Sequence, residues 1–244
     1  MSARAALQAA TAALAAVSDT PRLDAELLLA SALDIERHDL LIDPDRHGVP
    51  DSFAGLVARR QGGEPVAYIM GYRDFWSIRL AVGPGVLIPR PDSETLLSAA
   101  LRHFGDAGPA RVLDLGTGPG TLLLAALDQW PRASGIGIER SARARTFAEA
   151  NAQALNLSAR ARIIAGDWSD PAPILALGTF DLVLANPPYV ESDAVLDPQV
   201  ADHEPAEALF AGREGLDDIR QILPLLPRLV APGGMALIEI GAAQ

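Results

Sequence analysis

Asn186-Pro187-Pro188-Tyr189 is the densest cluster of chemically specific residues in the chain. It follows Phe180–Ala185, an apolar run that reads as a buried strand. The two prolines stiffen the backbone and carry no N–H, so their carbonyls are free of helix pairing. The side-chain oxygen of Asn186 and the carbonyl of Pro187 make an acceptor pair for an –NH₂ group. Pro188 and Tyr189 complete the surface, Tyr189 with a flat apolar face for a planar substrate. An amide or aniline-like nitrogen is a poor nucleophile because its lone pair is delocalised. Accepting hydrogen bonds from both of its protons orients that lone pair, so catalysis there rests on positioning and needs no strong base beforehand. A rigid Pro-Pro turn is the purely structural alternative.

A second cluster, Asp114-Leu115-Gly116-Thr117-Gly118-Pro119-Gly120, sits where a strand turns into a helix. Glycines let the backbone approach a ligand, and the helix start offers unpaired N–H groups. The dinucleotide fingerprint requires G-x-G-x-x-G, whereas here the spacing is G-x-G-x-G, with Thr121 next. Asp114 disfavours a pyrophosphate and favours a cation. S-adenosylmethionine carries an ammonium and a sulfonium and no phosphate, so the sign of the charge selects a methyl donor over a dinucleotide. A plain tight turn is the competing reading. Glu139 closes the next strand, where a carboxylate can accept both hydroxyls of a ribose. Asp167 and Trp168 follow the third strand, a carboxylate for an adenine amino group and an aromatic face for its ring. Trp168 alone reads equally well as core.

These residues need a scaffold, and strand–helix alternation provides it. Strand candidates Arg111–Leu115, Gly135–Glu139, Arg162–Ala165, Phe180–Ala185 and Met235–Ile240 alternate with helix candidates Thr121–Gln129, Ser141–Leu155 and Leu216–Leu229. That order predicts an α/β fold, a doubly wound and mostly parallel sheet covered on both faces. Pro224 and Pro227 predict a kink or an early stop in the last helix. Val190–Glu214 is long, acidic and aperiodic, the profile of a functional lid. Upstream, Glu64–Pro91 reads as extended segments through Tyr68, Ile69, Phe75 and Ile78, and Asp92–His103 as a helix. Residues 3–60 read as short helices. One spans Ala5–Val17, which Gln8 and Thr11 mark as a helix of the mature protein rather than an export signal. Another begins at Pro21 with Thr20 as its cap, Leu23, Leu27, Leu28 and Leu33 at helical spacing, and Asp24 and Glu26 in its first turn. A third spans Ser52–Gln61, closed by Gly62-Gly63. The expected domains are a helical one over 1–72, a β-hairpin connector over 73–90 and a ligand-binding domain over 91–244.

Composition narrows the classes. Of 244 residues, 49% are hydrophobic but only 5% aromatic, so aliphatic side chains must fill the core. With no cysteine, disulfides, thiolate metal sites and Cys nucleophiles are excluded, and a reducing, cytoplasmic setting is expected. A net charge of −11 counts against a nucleic-acid binder. No apolar run approaches the ~20 residues a bilayer span needs, so no membrane association is expected. His38, His47, His103 and His203 lack ligand spacing, and no metal is expected.

Motifs along the whole chain resemble those of the N5-glutamine methyltransferases that modify peptide chain release factors. They include Arg22-Leu23-Asp24-Ala25-Glu26-Leu27-Leu28, Arg59-Arg60, Glu64 through Gly71, and Leu87-Ile88-Pro89-Arg90-Pro91. They continue through Asp114–Gly118, the Asn186 tetrad, Glu204-Pro205, Ala208-Leu209, Gly215-Leu216-Asp217 and Glu239-Ile240-Gly241. The resemblance implies a class I methyltransferase domain preceded by a small helical domain that helps to dock the release factor; a monomer is expected. It implies that Gly116–Gly120, Glu139, Trp168 and Asn186 contact S-adenosylmethionine. It also implies that Asn186–Tyr189 receive the glutamine of a Gly-Gly-Gln motif. Glu139 stands where an Asp is usual, and Asp92-Ser93-Glu94 where Glu-Thr-Glu is usual. The closing C-terminal hairpin that the resemblance implies is expected to be missing. Two other functions compete: adenine-N6 methylation of DNA or RNA, since the tetrad can hold the amine of a flipped base, and a release-factor-binding module without turnover.

Overall fold

The structure is a computed structural model and describes residues 2–244. Its contacts divide into two compact units, Met1–Gly71 with Asp197–His203, and Tyr72–Leu196 with Glu204–Gln244.

The first unit is helical. Helix α1 (Ala3–Leu14) starts at Ser2, whose hydroxyl accepts from the N–H of Ala5, and buries Ala3, Ala6, Ala10 and Leu14 along one face. Helix α2 (Pro21–Leu33) departs from the sequence reading twice. Thr20 stands at its N-cap position, but its side chain makes no cap bond and donates to Asp24 Oδ1 instead. The buried face also differs, because it carries Asp24 and Glu26 with Leu28 and Leu29, while Leu23 is exposed. Leucine spacing could not show this, because the two carboxylates become buriable only through arginines far along the chain. Arg60 donates to Asp24 at 2.7 Å, and Arg22 and Arg37 donate to Glu26 at 2.8 and 2.7 Å. Burial pushes the Glu26 carboxyl up, and the two guanidiniums overcome that and hold it below its ordinary value. Helices α3 (Arg37–Ile42) and α4 (Ser52–Gln61) follow, and Leu40, Phe53 and Val57 join the core of α1 and α2. Helix α5 (Val66–Met70) replaces the extended segment expected at Tyr68 and Ile69. Between Pro65 and the left-handed Gly71 (φ 82°) it is too short to show a helical period.

In the second unit, strands β1 (Tyr72–Phe75) and β2 (Ile78–Ala81) form an antiparallel hairpin. Trp76 occupies its turn at φ 55°, a position usually left to Gly or Asn. Bonds from its backbone N–H to Glu94 and from its ring N–H to Gln129 hold it there. Helix α6 (Glu94–Phe104) leads to a parallel sheet built from β3 (Arg111–Leu115), β4 (Ser134–Glu139), β5 (Ala161–Ala165), β6 (Phe180–Ala185) and β7 (Val230–Ile238). Helices α7 (Thr121–Gln129) and α8 (Ala142–Ala154) are two of its crossovers. Alternate residues feed opposite faces: Val112, Leu182 and Leu184 pack with Leu97 and Leu123, whereas Leu113, Leu115 and Val183 pack with Ile174, Ile222 and Leu229. The expected helix Leu216–Leu229 breaks into Asp217–Ile222, a 3₁₀ turn at Leu223–Leu225 and Leu226–Leu229, in line with its two prolines.

The strand order is β5-β4-β3-β6-β7, so the chain reverses direction across the sheet between β3 and β6. Ligands bind beyond the carboxyl ends of the strands at such a reversal, because loops from neighbouring strands diverge there and leave a crevice. β3 ends in the glycine loop and β6 ends in Asn186.

Candidate active site

Backbone bonds set the glycine loop in place. The N–H groups of Gly116 and Thr117 both donate to the Ile138 carbonyl of β4, at 2.9 and 3.0 Å, and Asn151 of α8 donates to the Pro119 carbonyl at 2.9 Å. Gly118 has φ 58° and nothing within 4 Å of where a Cβ would stand, so the loop opens there into a cleft. Gly120 is turned inward, where a Cβ would lie 2.6 Å from Leu124, so it serves the packing of α7 and does not line the cleft.

Asp114, Gly116, Thr117, Gly118, Pro119, Glu139, Asp167, Trp168, Asn186 and Pro188 all border this cleft. Tyr189 does not; it borders a smaller cavity with Leu87, Arg90 and Leu209, and Asn186 borders both spaces. Pro187 is buried and faces neither.

The electrostatics of the cleft are acidic. Asp114 is fully buried at its floor, with Oδ2 accepting from the Thr117 hydroxyl at 2.6 Å and the Leu123 N–H at 3.1 Å, and Oδ1 without a partner. Burial, aided by the nearby Glu139 carboxylate, pushes its pKa up to about 7 against the pull of those two donors. Glu139 accepts from the N–H of Gly118 at 2.9 Å through one oxygen and from that of Ser141 at 2.7 Å through the other. Each oxygen keeps a lone pair, so hydroxyls of a ligand still find acceptors. Burial raises the Asp167 carboxyl, but hydrogen bonds from Ser169 and the Arg140 guanidinium outweigh it and hold the group below its ordinary value. Trp168 is nearly buried, donates from its ring N–H to Asp218 at 2.7 Å, and lays its ring edge against Gly116. Core packing and cleft wall are therefore both roles of Trp168.

These groups fit S-adenosylmethionine. An orphaned buried carboxylate oxygen suits a cation, the open space over Gly118 admits a ligand against the backbone, and apolar Leu122, Ala144 and Val86 wall the cleft. The arginines on its border are already engaged, Arg90 with Glu204 and Arg140 with Asp167, so a pyrophosphate would meet carboxylates first. A Gly118→Val chain should lose donor affinity by about tenfold or more, since the branched side chain occupies the opening and φ is positive there. Calorimetry with S-adenosylhomocysteine reads this, and unchanged affinity would remove the loop from the site.

At the end of β6, the Asn186 amide donates from Nδ2 to Ser93 Oγ at 3.1 Å. Ser93 donates to Glu239 Oε2 at 2.5 Å, and the Tyr189 hydroxyl donates to Glu239 Oε1 at 3.1 Å. Burial and the Glu239 carboxylate push the Tyr189 phenol up to about 12, so it stays a neutral donor. Sequence reasoning singled out neither Ser93 nor Glu239 for this site. The available signal for Glu239 was position: it follows β7 directly, and its N–H bonds the carbonyl of Ala185 beside Asn186.

A family model described as the PrmC N-terminal domain matches residues 5–71, and one described as a methyltransferase domain matches residues 108–240. The release factor glutamine methyltransferase of Caulobacter vibrioides is 39% identical over 93% of this chain and 79% of its own. That of Rhodospirillum rubrum is 42% identical over 93% and 70%, and that of Mycolicibacterium smegmatis 41% over 97% and 83%. Among solved structures, a ribosomal protein L11 methylase from Lactobacillus delbrueckii subsp. bulgaricus is 23% identical over 67% of each chain, with a TM-score of 0.43. The parallel sheet and its helices are a class I methyltransferase fold, preceded by a helical region. The chain belongs to the release factor glutamine methyltransferase family.

Proposed function

We propose that this protein transfers a methyl group from S-adenosylmethionine to the side-chain nitrogen of the glutamine in the Gly-Gly-Gln motif of peptide chain release factors. The observation that carries the reading is the place of Asn186, which borders both the cleft over the glycine loop and the cavity walled by Tyr189. A carboxamide in the smaller cavity meets the Oδ1 acceptor of Asn186 while its nitrogen faces the larger cleft. S-adenosylmethionine, when bound, supplies an electrophilic methyl on a sulfonium. Asp114 balances charge at the floor, Glu139 accepts hydroxyls, and Asp167 and Trp168 receive the adenine. The Asn186 oxygen accepts a carboxamide proton and brings the nitrogen lone pair into line, while Pro187, which faces neither space, only stiffens the strand end. Tyr189 and Pro188 confine its plane. The spare proton on nitrogen leaves after transfer, when the nitrogen is cationic and strongly acidic, so no strong base is required.

The helical unit is the proposed docking element for the release factor, supported by the family match over residues 5–71. Among the described residues no helix is long and apolar enough to cross a membrane, and the reading places a monomer in the cytoplasm. Incubation with a labelled methyl donor and purified release factors, followed by mass mapping, tests the function. One added methyl on the Gly-Gly-Gln glutamine is expected. Label on another residue, or none on any release factor, would overturn it. The relatives' names and the net charge of −11 favour this acceptor over an adenine, and no shift of duplex DNA at low salt is expected.

A further inference from the structure

The orientation of Asn186 is not set by Asn186. A side-chain amide can present either its oxygen or its NH₂ in a given direction at little cost, and only its neighbours choose between them. Here the neighbours form a chain with one direction. An ionised carboxylate only accepts, so Glu239 takes the single proton of Ser93 at 2.5 Å and the phenolic proton of Tyr189 at 3.1 Å. Ser93, its proton committed, can then only accept from Asn186, which obliges the amide to turn its NH₂ toward Ser93 at 3.1 Å. The amide oxygen is thereby left for another donor.

We propose that Ser93 and Glu239 are positioning residues that polarise this chain and so present the Asn186 oxygen, rather than its NH₂, to the substrate carboxamide. The inference rests on the function proposed above. Three features make the arrangement a fixed device. Ser93 is almost fully buried, at 1% exposure, so water does not substitute for Glu239 at little cost. The Glu239 backbone N–H bonds the Ala185 carbonyl at 2.9 Å, tying the carboxylate to the strand that delivers Asn186. Tyr189, the wall of the acceptor cavity, is held by the same carboxylate, so one group orients both the acceptor atom and the surface beside it.

The test compares Ser93→Ala, Ser93→Thr and Glu239→Gln in the full chain, with kcat and KM measured on a release factor. Ser93→Ala should lower kcat by about tenfold or more with donor affinity unchanged, because the amide is free to flip. Ser93→Thr should recover most of that loss by restoring the hydroxyl. Glu239→Gln is the sharper variant. Its NH₂ can donate to Ser93, reversing the chain so that the serine donates to the Asn186 oxygen, and the loss in kcat should match or exceed that of Ser93→Ala. Adding Ser93→Ala to Asn186→Ala should cost nothing further. A readout independent of turnover is the Asn186 side-chain amide resonance in ¹⁵N-labelled, ligand-free protein, which should lose its exchange protection in Ser93→Ala. Should Ser93→Ala fail to bind donor, Glu239→Gln carries the same comparison. Wild-type methylation with both variants within twofold of it would overturn the positioning role and leave the function standing. Absence of glutamine methylation by the wild type would instead remove the function.

Discussion

Asn186→Ala should slow methyl transfer by about 10²- to 10³-fold while donor affinity changes by no more than a few fold. The size follows from the acceptor chemistry. Amide resonance withdraws the lone pair from a glutamine nitrogen, and that resonance has to be weakened before the nitrogen can attack. An acceptor oxygen on the N–H pulls density onto nitrogen most strongly when positive charge develops there, so the bond strengthens in the transition state and appears in kcat. The Asn186 amide is anchored on Ser93 through Nδ2, so its oxygen is already in position and needs no reorganisation. Donor affinity is largely spared because the cleft is bordered mainly by the glycine loop, Glu139, Asp167 and Trp168. Asn186→Gln makes the stricter control. It keeps the same functional group but moves it by one methylene, and a displacement of about 1 Å is enough to cost on the order of 10² in rate. Single-turnover rates with saturating release factor, paired with calorimetry for the donor, separate the two effects. A normal rate in either variant would take Asn186 out of the chemistry.

That acceptor geometry was only half visible in the sequence, for a physical reason. β3, β6 and α7 have the bounds their residues suggest, Arg111–Leu115, Phe180–Ala185 and Thr121–Gln129, because a strand buried on both faces leaves a mostly apolar run, here broken only by Arg111 and Asp114 in β3 and Asp181 in β6. The glycine loop and Asn186 sit at the ends of those strands, so their convergence could be expected from strand order alone. What could not be read was how side chains are held. The partner of Asn186 lies 93 residues away, and the next link, from Ser93 to Glu239, spans 146. No local period records a hydrogen bond over such a distance. Burial of Asp24 and Glu26 is the same case, since each looks like a helix-dipole residue until Arg60 and Arg37 are placed beside them. Helix α5 escaped for the opposite reason: its signal is local but only a single turn long.

Asp114→Asn should weaken donor binding about 10- to 100-fold near neutral pH and, without ligand, should raise stability at alkaline pH. Both effects come from one buried carboxyl whose pKa is pushed up to about 7. In the unfolded chain the group ionises near 3.8, so between that pH and 7 the native state holds a proton that the unfolded state has released. Stability therefore falls as pH rises through this window. The loss is complete above about pH 7, where ionising Asp114 has cost roughly 4 kcal/mol. Asparagine keeps an acceptor for Thr117 and Leu123 and carries no charge, so the variant should melt several degrees higher at pH 8, with the difference closing toward pH 4. On the proposed function, the orphaned Asp114 oxygen meets the ammonium of the donor in the wild type. Binding of an ammonium draws the carboxyl back to its ionised form and expels the proton. Calorimetry at pH 6 in buffers of different ionisation enthalpy should find close to one more proton released by the wild type than by the variant. Donor affinity of the wild type should fall about tenfold for each pH unit below 7. Equal affinity at pH 5.5 and pH 8 would show that Asp114 does not face the donor's charge, and the unpaired oxygen at the floor of the cleft would need another explanation.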